Sequence, residues 1–156
     1  MAVNTAFPPP HVLHDDALIM KAAGLIAASA AVATIIDLGP GTGYRIVRVE
    51  ALITALEIAS NDEFYSIWVQ FANSATFATD TLIFDACCIE VGAKEIKRTD
   101  SDRDDATGVR SIMVENKDEV GGLYRYMRLY TVVAGTIAGG GGINYSARAS
   151  FVHQQA

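Results

Sequence analysis

Residues 34–43, with the sequence TIIDLGPGTG, have the composition and spacing of a loop that holds a nucleotide-like cofactor. In such a site a glycine-rich turn joins a parallel strand to a helix, and the glycines let the cofactor approach the backbone. A carboxylate about 20 residues further on, at the end of the next strand, then binds the ribose. Here the next strand ends in the uncharged residues 71–73, and no carboxylate closes it, since Glu57 and Asp62 precede it. We therefore interpret the segment as a strand end and a tight turn, in which Asp37 finishes the strand or caps the turn.

Residues 100–108, DSDRDDATG, have the alternating carboxylates with which a calcium-binding loop begins. The alternating residues are Asp100, Asp102 and Asp104. However, position six of such a loop is Asp105 instead of glycine, and position twelve is Ser111 instead of a bidentate glutamate. A solvated charged loop is the favoured interpretation, and weak binding of a divalent ion by residues 100–105 stays open.

The chain has few residues of the kinds that catalyse reactions or hold metals. His11 and His14 lie beside two aspartates, but no third group of ligands is near them in the sequence, and His153 is the only other histidine. No Ser-His-Asp or Cys-His motif stands out. The glycine run 139–142 lacks the Lys-Ser/Thr of a phosphate-binding loop and is interpreted as a mobile hairpin connection. We predict no catalytic, cofactor-binding or metal-binding residues, no cofactor and no enzymatic activity.

The two cysteines, Cys87 and Cys88, are adjacent in the sequence. On a strand their side chains point to opposite faces, so they make neither an ordinary disulfide nor a zinc site. We interpret them as two small hydrophobic residues of a protein that assembles in a reducing cytosol.

Composition excludes several classes of function. The 156-residue chain is 51% hydrophobic, which predicts a folded domain and favours an oligomer. Its net charge is −6 and its isoelectric point is about 4.9, so the cationic surface that nucleic acids require is missing. The alanine-rich run 22–36 is shorter than the ~20 apolar residues of a membrane span and follows acidic residues, so we predict no membrane partner.

Residues 1–17 differ from the rest of the chain. Three consecutive prolines favour an extended polyproline II conformation and remove backbone donors, so this segment is predicted to be an arm outside the core. A single domain is predicted over residues 18–156. We expect the arm to contact a neighbouring protein, and the candidate partner-binding residues are Phe7, Pro8, Pro9, Pro10, His11, Val12 and Leu13.

The sequence of the domain has the pattern of short β-strands that are separated by glycine-rich or polar turns. The predicted strands are residues 18–21, 25–29, 33–38, 44–58, 64–73, 82–91, 109–115, 123–133 and 143–152. Residues 44–58 also have helical spacing, but their many β-branched side chains favour a strand. This pattern predicts a β-sandwich or barrel.

Two segments alternate with a period of two. In residues 64–73 the apolar face comprises Ile67, Val69 and Phe71, and Ser66 and Gln70 lie opposite. In residues 123–130 one face is mainly aromatic, with Tyr124, Tyr126 and Tyr130. An aromatic face can bind a sugar, but a packed sheet face or a subunit interface is the favoured interpretation.

Several segments, taken in order, point to a family. The first half contains ATIIDLG after an alanine-rich strand, YRIVRVEALITALE and FYSIWVQFANSATF. The second half contains VRSIMVEN and GLYRYMRLYTVVAGTIAGGGGINYSARASFV, of which RYMRLYTVVAGT with its glycine-rich turn is the most specific part. Over residues 20–153 this pattern resembles phage capsid cement (decoration) proteins of the tailed-phage type.

The resemblance implies an all-β fold, an antiparallel jelly-roll β-sandwich, without enzymatic activity. It implies a structural virion protein that binds the outer surface of a phage capsid and cements neighbouring major capsid subunits, commonly as a homotrimer. The expected partners are the major capsid protein and other copies of this chain, and the expected location is the outer capsid surface after assembly in the host cytoplasm. It assigns no functional residues, and the proline-rich arm is where this chain departs from the family.

Two other functions stay open. One is a carbohydrate-binding jelly-roll module of a phage fibre or spike, which would use the tyrosine face. The other is an S-adenosylmethionine-dependent methyltransferase, since such enzymes have a motif similar to residues 34–43. The second function requires a helix after that motif.

Overall fold

The structure, a computed structural model, describes residues 18–39, 43–78, 82–93 and 107–152. These ranges contain nine β-strands and no α-helix. The strands are β1 (Ile19–Ile26), β2 (Ala30–Ala31), β3 (Ile36–Asp37), β4 (Ile46–Leu56), β5 (Phe64–Ala72), β6 (Phe84–Gly92), β7 (Gly108–Glu115), β8 (Tyr126–Ala134) and β9 (Ile143–Phe151). The predicted all-β class is confirmed for this part of the chain.

The strands form two antiparallel sheets that pack face to face as a β-sandwich. Sheet A has the strand order β1-β9-β4-β7, and sheet B has the order β2-β8-β5-β6, with β3 also paired to β8. Neighbouring strands along the chain mostly lie in different sheets, so the chain crosses repeatedly from one sheet to the other.

The core lies between the sheets and is filled by alternate residues of the central strands. It includes Val47, Val49, Ala51 and Ile53 of β4, Tyr65, Ile67, Val69 and Phe71 of β5, Met127 and Leu129 of β8, and Tyr145, Ala147 and Ala149 of β9. Burial of each large apolar side chain contributes about 1.5–3 kcal/mol. Because this burial in β4 has a period of two, the choice of a strand over a helix for residues 44–58 is confirmed for Ile46–Leu56.

The first strand is continuous, whereas the sequence predicted two short strands over residues 18–29. Its pairing with β9 shifts register on both sides of Lys21, so the alanine-glycine run forms irregularities within one strand instead of a boundary. Lys21 is 9% exposed, and its Nζ donates to the carbonyl oxygens of Ala22 (3.1 Å), Gly24 (2.7 Å) and Tyr145 (2.8 Å). Burial lowers the pKa of Lys21.

Two very short strands, β2 and β3, form one edge of sheet B. β2 pairs Ala31 with Tyr130, and β3 pairs Ile36 with Met127 of the same neighbour, β8. Four residues lie between Ala31 and Ile36 on the edge, whereas only two lie between their partners Tyr130 and Met127 on β8. The two strands therefore behave as one edge strand that is interrupted by a short bulge.

Asn116 fixes the loops at one end of the sandwich. Its side chain is buried, and Nδ2 donates to the carbonyl oxygens of Gly43 (3.0 Å) and Tyr124 (2.9 Å). Its Oδ1 accepts a hydrogen bond from the backbone N–H of Arg45 (2.7 Å). One amide thus ties the β3–β4 loop to both ends of the β7–β8 loop.

The glycine run 139–142 is not a hairpin connection, because β8 and β9 belong to different sheets. The loop crosses between the sheets and packs closely against other backbone. A Cβ on Gly142 would lie 2.2 Å from the carbonyl oxygen of Ile26, and a Cβ on Gly135 would lie 2.2 Å from that of Asp62. These two glycines are needed because any larger residue would displace neighbouring backbone.

Within the described ranges no helix could span a membrane. The predicted arm, residues 1–17, lies outside the described residues. Its separation from a domain over 18–156 therefore stays a prediction.

Candidate functional site

The residues predicted to bind a partner, Phe7, Pro8, Pro9, Pro10, His11, Val12 and Leu13, lie outside the described residues. The histidines His14 and His153 and the acidic stretch 100–105 also lie outside them. The roles predicted for these segments therefore stay predictions. Candidate binding surfaces are sought on the strands and loops that the structure describes.

The glycine motif is the end of a strand and a turn. Asp37 is the last residue of β3, and its Oδ1 accepts hydrogen bonds from the backbone N–H of Gly39 (2.9 Å) and from Nε of Arg125 (2.8 Å). The hydrogen bonds from Arg125 and then Gly39 lower the pKa of Asp37 to about 2. Strand β4 follows, in the place where a cofactor-binding fold requires a helix. The prediction that Asp37 finishes a strand and caps a turn is confirmed.

The acidic residues of the β4–β5 loop hold loops together. Glu57 accepts a hydrogen bond from the backbone N–H of Ala138 (3.2 Å), and Asp62 accepts two from Thr136, both 2.8 Å long. These contacts join the β4–β5 loop to the β8–β9 loop. Among the residues that the structure describes, no group of three or more His, Cys, Asp or Glu side chains is placed to hold a metal ion.

The outer face of sheet A exposes large apolar side chains. Leu52 is 44% exposed, Val109 is 60% exposed and Met113 is 69% exposed. Leu52 lies directly opposite Val109 across β4 and β7, and Met113 lies directly opposite Arg48. Arg48 forms a 2.6 Å ion pair with Glu50 within the same face. We call Leu52, Val109 and Met113 the A-face residues; Leu52 and Val109 are direct neighbours, whereas the row of Glu50 and Ser111 separates them from Met113.

The outer face of sheet B has a different chemistry. Cross-strand pairing places Trp68 of β5 between Tyr130 of β8 and Cys88 of β6. The rows on either side pair Val132, Ser66 and Glu90, and Arg128, Gln70 and Asp85. We call these nine residues the Trp68 array.

Hydrogen bonds order the side chains of the Trp68 array. Nε1 of Trp68 donates to Oγ of Ser66 (2.9 Å). Nε of Arg128 donates to Oε1 of Gln70 (2.9 Å), and Nε2 of Gln70 donates to Oδ1 of Asp85 (2.8 Å). The array is therefore an aromatic centre with a fixed polar ladder along one side.

One member of the predicted tyrosine face lies elsewhere. Tyr124 is 5% exposed and belongs to the core, where its ring stacks on Phe84 with centroids 5.4 Å apart. The alternation predicted from residue 123 fails because β8 begins only at Tyr126. Tyr126 and Tyr130 do share the outer face of sheet B, since their neighbours Met127 and Leu129 point into the core.

Sequence reasoning did not single out Trp68, although a signal was present. Trp68 has the same parity as Ser66 and Gln70, which were predicted to lie opposite the apolar face. Ser66 and Gln70 are 2% and 8% exposed although they lie on the outer face, because the larger side chains of the array cover them. The two cysteines divide as predicted: Cys87 packs against the core, Cys88 lies beside Trp68, and neither forms a disulfide.

The chain matches no protein-family model and no curated protein.

Proposed function

We propose that the sandwich is a jelly roll. If β2 and β3 count as one interrupted strand, the described part of the chain has eight strands, and they pair first with last and so on inwards. β1 pairs with β9, β2 and β3 with β8, β4 with β7, and β5 with β6. This is the pairing of one long antiparallel hairpin that has been rolled into two sheets, which supports the jelly-roll assignment.

We further propose that the protein is a phage capsid cement protein. It binds the outer surface of the capsid and stabilises contacts between neighbouring major capsid subunits. It has no enzymatic activity and takes no cofactor. The resemblance over residues 20–153 motivates this role, and the proposed jelly roll agrees with what the resemblance implies.

The observation that supports a protein-binding role most strongly is the exposure of the three apolar A-face residues. A strand pair that faced only water would place polar residues at these positions. Leu52, Val109 and Met113 instead expose between 44% and 69% of their surface on neighbouring strands. We assign this face to the major capsid protein.

Assembly into a homotrimer would raise the overall affinity for the capsid above that of a single A face. A homotrimer presents three A faces at once, so that modest contacts combine through effective concentration on a symmetric shell. In this proposal residues 7–13 of the arm add a second contact, to the shell or to a neighbouring copy. The negative net charge is consistent with a partner that is neither nucleic acid nor membrane.

The proposal is tested with capsids assembled without the protein. Addition of the purified protein should saturate their outer surface and raise their disruption temperature. Met113→Asp should lower the affinity for capsids at least ~10-fold, because it places a charge in the interface.

Val120→Asp is the matched control, because Val120 is 93% exposed in the β7–β8 turn, outside both sheets. It should bind capsids like the wild type. The cement role is wrong if the wild-type protein neither binds these capsids nor changes their disruption temperature. The A-face assignment is wrong if both variants lose the same affinity.

A further inference from the structure

We propose that the Trp68 array is a saccharide-binding site, separate from the capsid-binding face. A pyranose ring would lie on the indole of Trp68 with Tyr130 beside it. Its hydroxyl groups would hydrogen-bond to the surrounding carboxylates and guanidinium. This surface belongs to sheet B, whereas the A-face residues belong to sheet A, so one molecule can use both.

The dimensions of the array fit a short oligosaccharide. Strands lie about 4.8 Å apart, and residues on one face repeat about every 6.6 Å along a strand, so three rows on three strands cover roughly 10 by 13 Å. This is the area of one to two sugar rings. Trp68 occupies the centre of this area, with Tyr130 on the next strand.

The chemistry of the array favours a polyol over other ligands. A pyranose has a C–H face that packs on an aromatic ring and a rim of hydroxyls that both donate and accept hydrogen bonds. Asp85 and Glu90 offer acceptors on one side of Trp68, and Arg128 offers donors on the other. A nucleic acid would be repelled by the two carboxylates, and a purely apolar ligand would leave these polar groups without partners.

The array is also held in place before any ligand arrives. Ser66 fixes the indole through the 2.9 Å bond from Nε1 of Trp68. The guanidinium of Arg128 lies over the ring of Phe77, 4.3 Å from its centroid, while its Nε is bonded to Gln70. Side chains that are already ordered lose little conformational entropy on binding.

A shallow groove borders the Trp68 array on the β6 side. It is lined by Trp68, Ala86, Cys87, Cys88 and Glu90, where the pairing of β5 with β6 shifts register. The register shift falls between the Val69 and Gln70 pairs, so it lies directly beside the Trp68 row. Glu90 lines the same groove, and its Oε1 accepts a hydrogen bond from Sγ of Cys88 (3.6 Å), which holds the carboxylate beside the Trp68 row.

The chain provides its own reporter for a test, because Trp68 is its only tryptophan. The full-length protein is first applied to a printed array of defined mono- to tetrasaccharides. The saccharide that binds best is then titrated while Trp68 fluorescence is recorded. A saturable change in emission is expected, because the ring becomes shielded from water.

Variants locate the site. Tyr130→Ala and Glu90→Gln should each weaken binding of that saccharide about 10-fold or more. Tyr44→Ala should leave it unchanged, since Tyr44 is 43% exposed in the β3–β4 loop, outside the array. Glu90→Gln keeps the side-chain shape, so its effect does not depend on whether Tyr130→Ala folds.

Three results would overturn the proposal. The first is that no saccharide on the printed array binds. The second is that Glu90→Gln binds as tightly as the wild type. The third is that Trp68 emission shifts with protein concentration alone, which would assign this face to a second copy of the chain.

Discussion

Arg125 donates two hydrogen bonds to the carboxylate of Asp37: Nε lies 2.8 Å from Oδ1, and Nη2 lies 2.6 Å from Oδ2. The pair joins the end of β3 to the segment that leads into β8, and the Arg125 guanidinium also lies 5.0 Å from the ring centroid of Tyr126. The acidic residue within the glycine-rich motif thus fastens an edge strand to its neighbour.

Asp37→Asn should make the protein less stable above pH 4 but not near pH 2. Because the pKa of Asp37 is lowered from 3.8 to about 2, the carboxylate stabilises the fold above its unfolded pKa. That contribution disappears as the pH falls through the folded pKa. Melting temperatures of the wild type and the variant should therefore converge between pH 4 and pH 2. Glu50→Gln is the control, since the Arg48–Glu50 pair lies within one strand and joins no separate elements. A constant difference in melting temperature at all pH values would contradict this account.

Asn116→Ala should lower the free energy of unfolding by about 1–3 kcal/mol, because it leaves the buried carbonyl of Tyr124 without a partner and unties the β3–β4 loop at Gly43 and Arg45. Urea denaturation measures the loss. Asn73→Ala is the matched control: its amide also makes two hydrogen bonds to backbone, at Leu123 and Arg125, but it is exposed. The control should lose at most ~1 kcal/mol, because water can replace its contacts. Equal losses would show that Asn116 does not have the central role assigned to it.

Gly142→Ala should destabilise the protein by at least ~2 kcal/mol. Gly142 has φ +146°, and a Cβ there would meet the carbonyl oxygen of Ile26 at 2.2 Å. Gly139→Ala, in the same loop, should change stability by less than ~1 kcal/mol, because no atom lies within 4 Å of its added Cβ. Thermal unfolding of the two variants gives the comparison. If Gly139→Ala were the more harmful change, the described packing of this loop would be wrong.

The protein should lose stability between pH 10 and pH 12. Burial raises the pKa of Tyr145 from 10.0 to about 12, so the folded state holds this proton more tightly than the unfolded chain. Stability is therefore full below pH 10 and falls as the pH rises towards 12. Burial likewise raises the pKa of Tyr65 to about 12, so Tyr145→Phe should remove only part of the alkaline loss.

At neutral pH, Tyr145→Phe should cost about 1 kcal/mol, because the buried hydroxyl of Thr131 loses its 2.6 Å partner. The two effects of this substitution thus have opposite signs at neutral and alkaline pH. Urea denaturation at pH 8, pH 10 and pH 11.5 measures both. An unchanged alkaline loss in the variant would refute the role of Tyr145.

The strands were predictable from the sequence where one face is buried and the other is not. Alternation in residues 64–73 identified the core positions Ile67, Val69 and Phe71, and the β-branched residues decided between strand and helix in residues 44–58. Such patterns are local, so the sequence alone reveals them. Which sheet each strand joins depends on pairing across the chain, and local patterns do not contain that information.

The wrong or missing predictions also come from contacts between parts of the chain that are distant in the sequence. The alanine-glycine run in β1 looked like a boundary, but Lys21 holds an irregular strand together by binding three carbonyl groups. Tyr124 was assigned to an outer face by extending an alternation beyond the start of β8. The Trp68 array was not predicted, because its nine residues come from three strands that only the fold brings together.

Electron cryomicroscopy of capsids saturated with the protein shows whether and how the protein binds the shell. We expect density on the outer shell, with the A-face residues Leu52, Val109 and Met113 against a major capsid subunit. We also expect residues 7–13 to contact the shell or a neighbouring copy. Capsids that remain bare at saturating protein concentration, or bound copies whose A face points to solvent, would show that the protein does not cement capsids in this way.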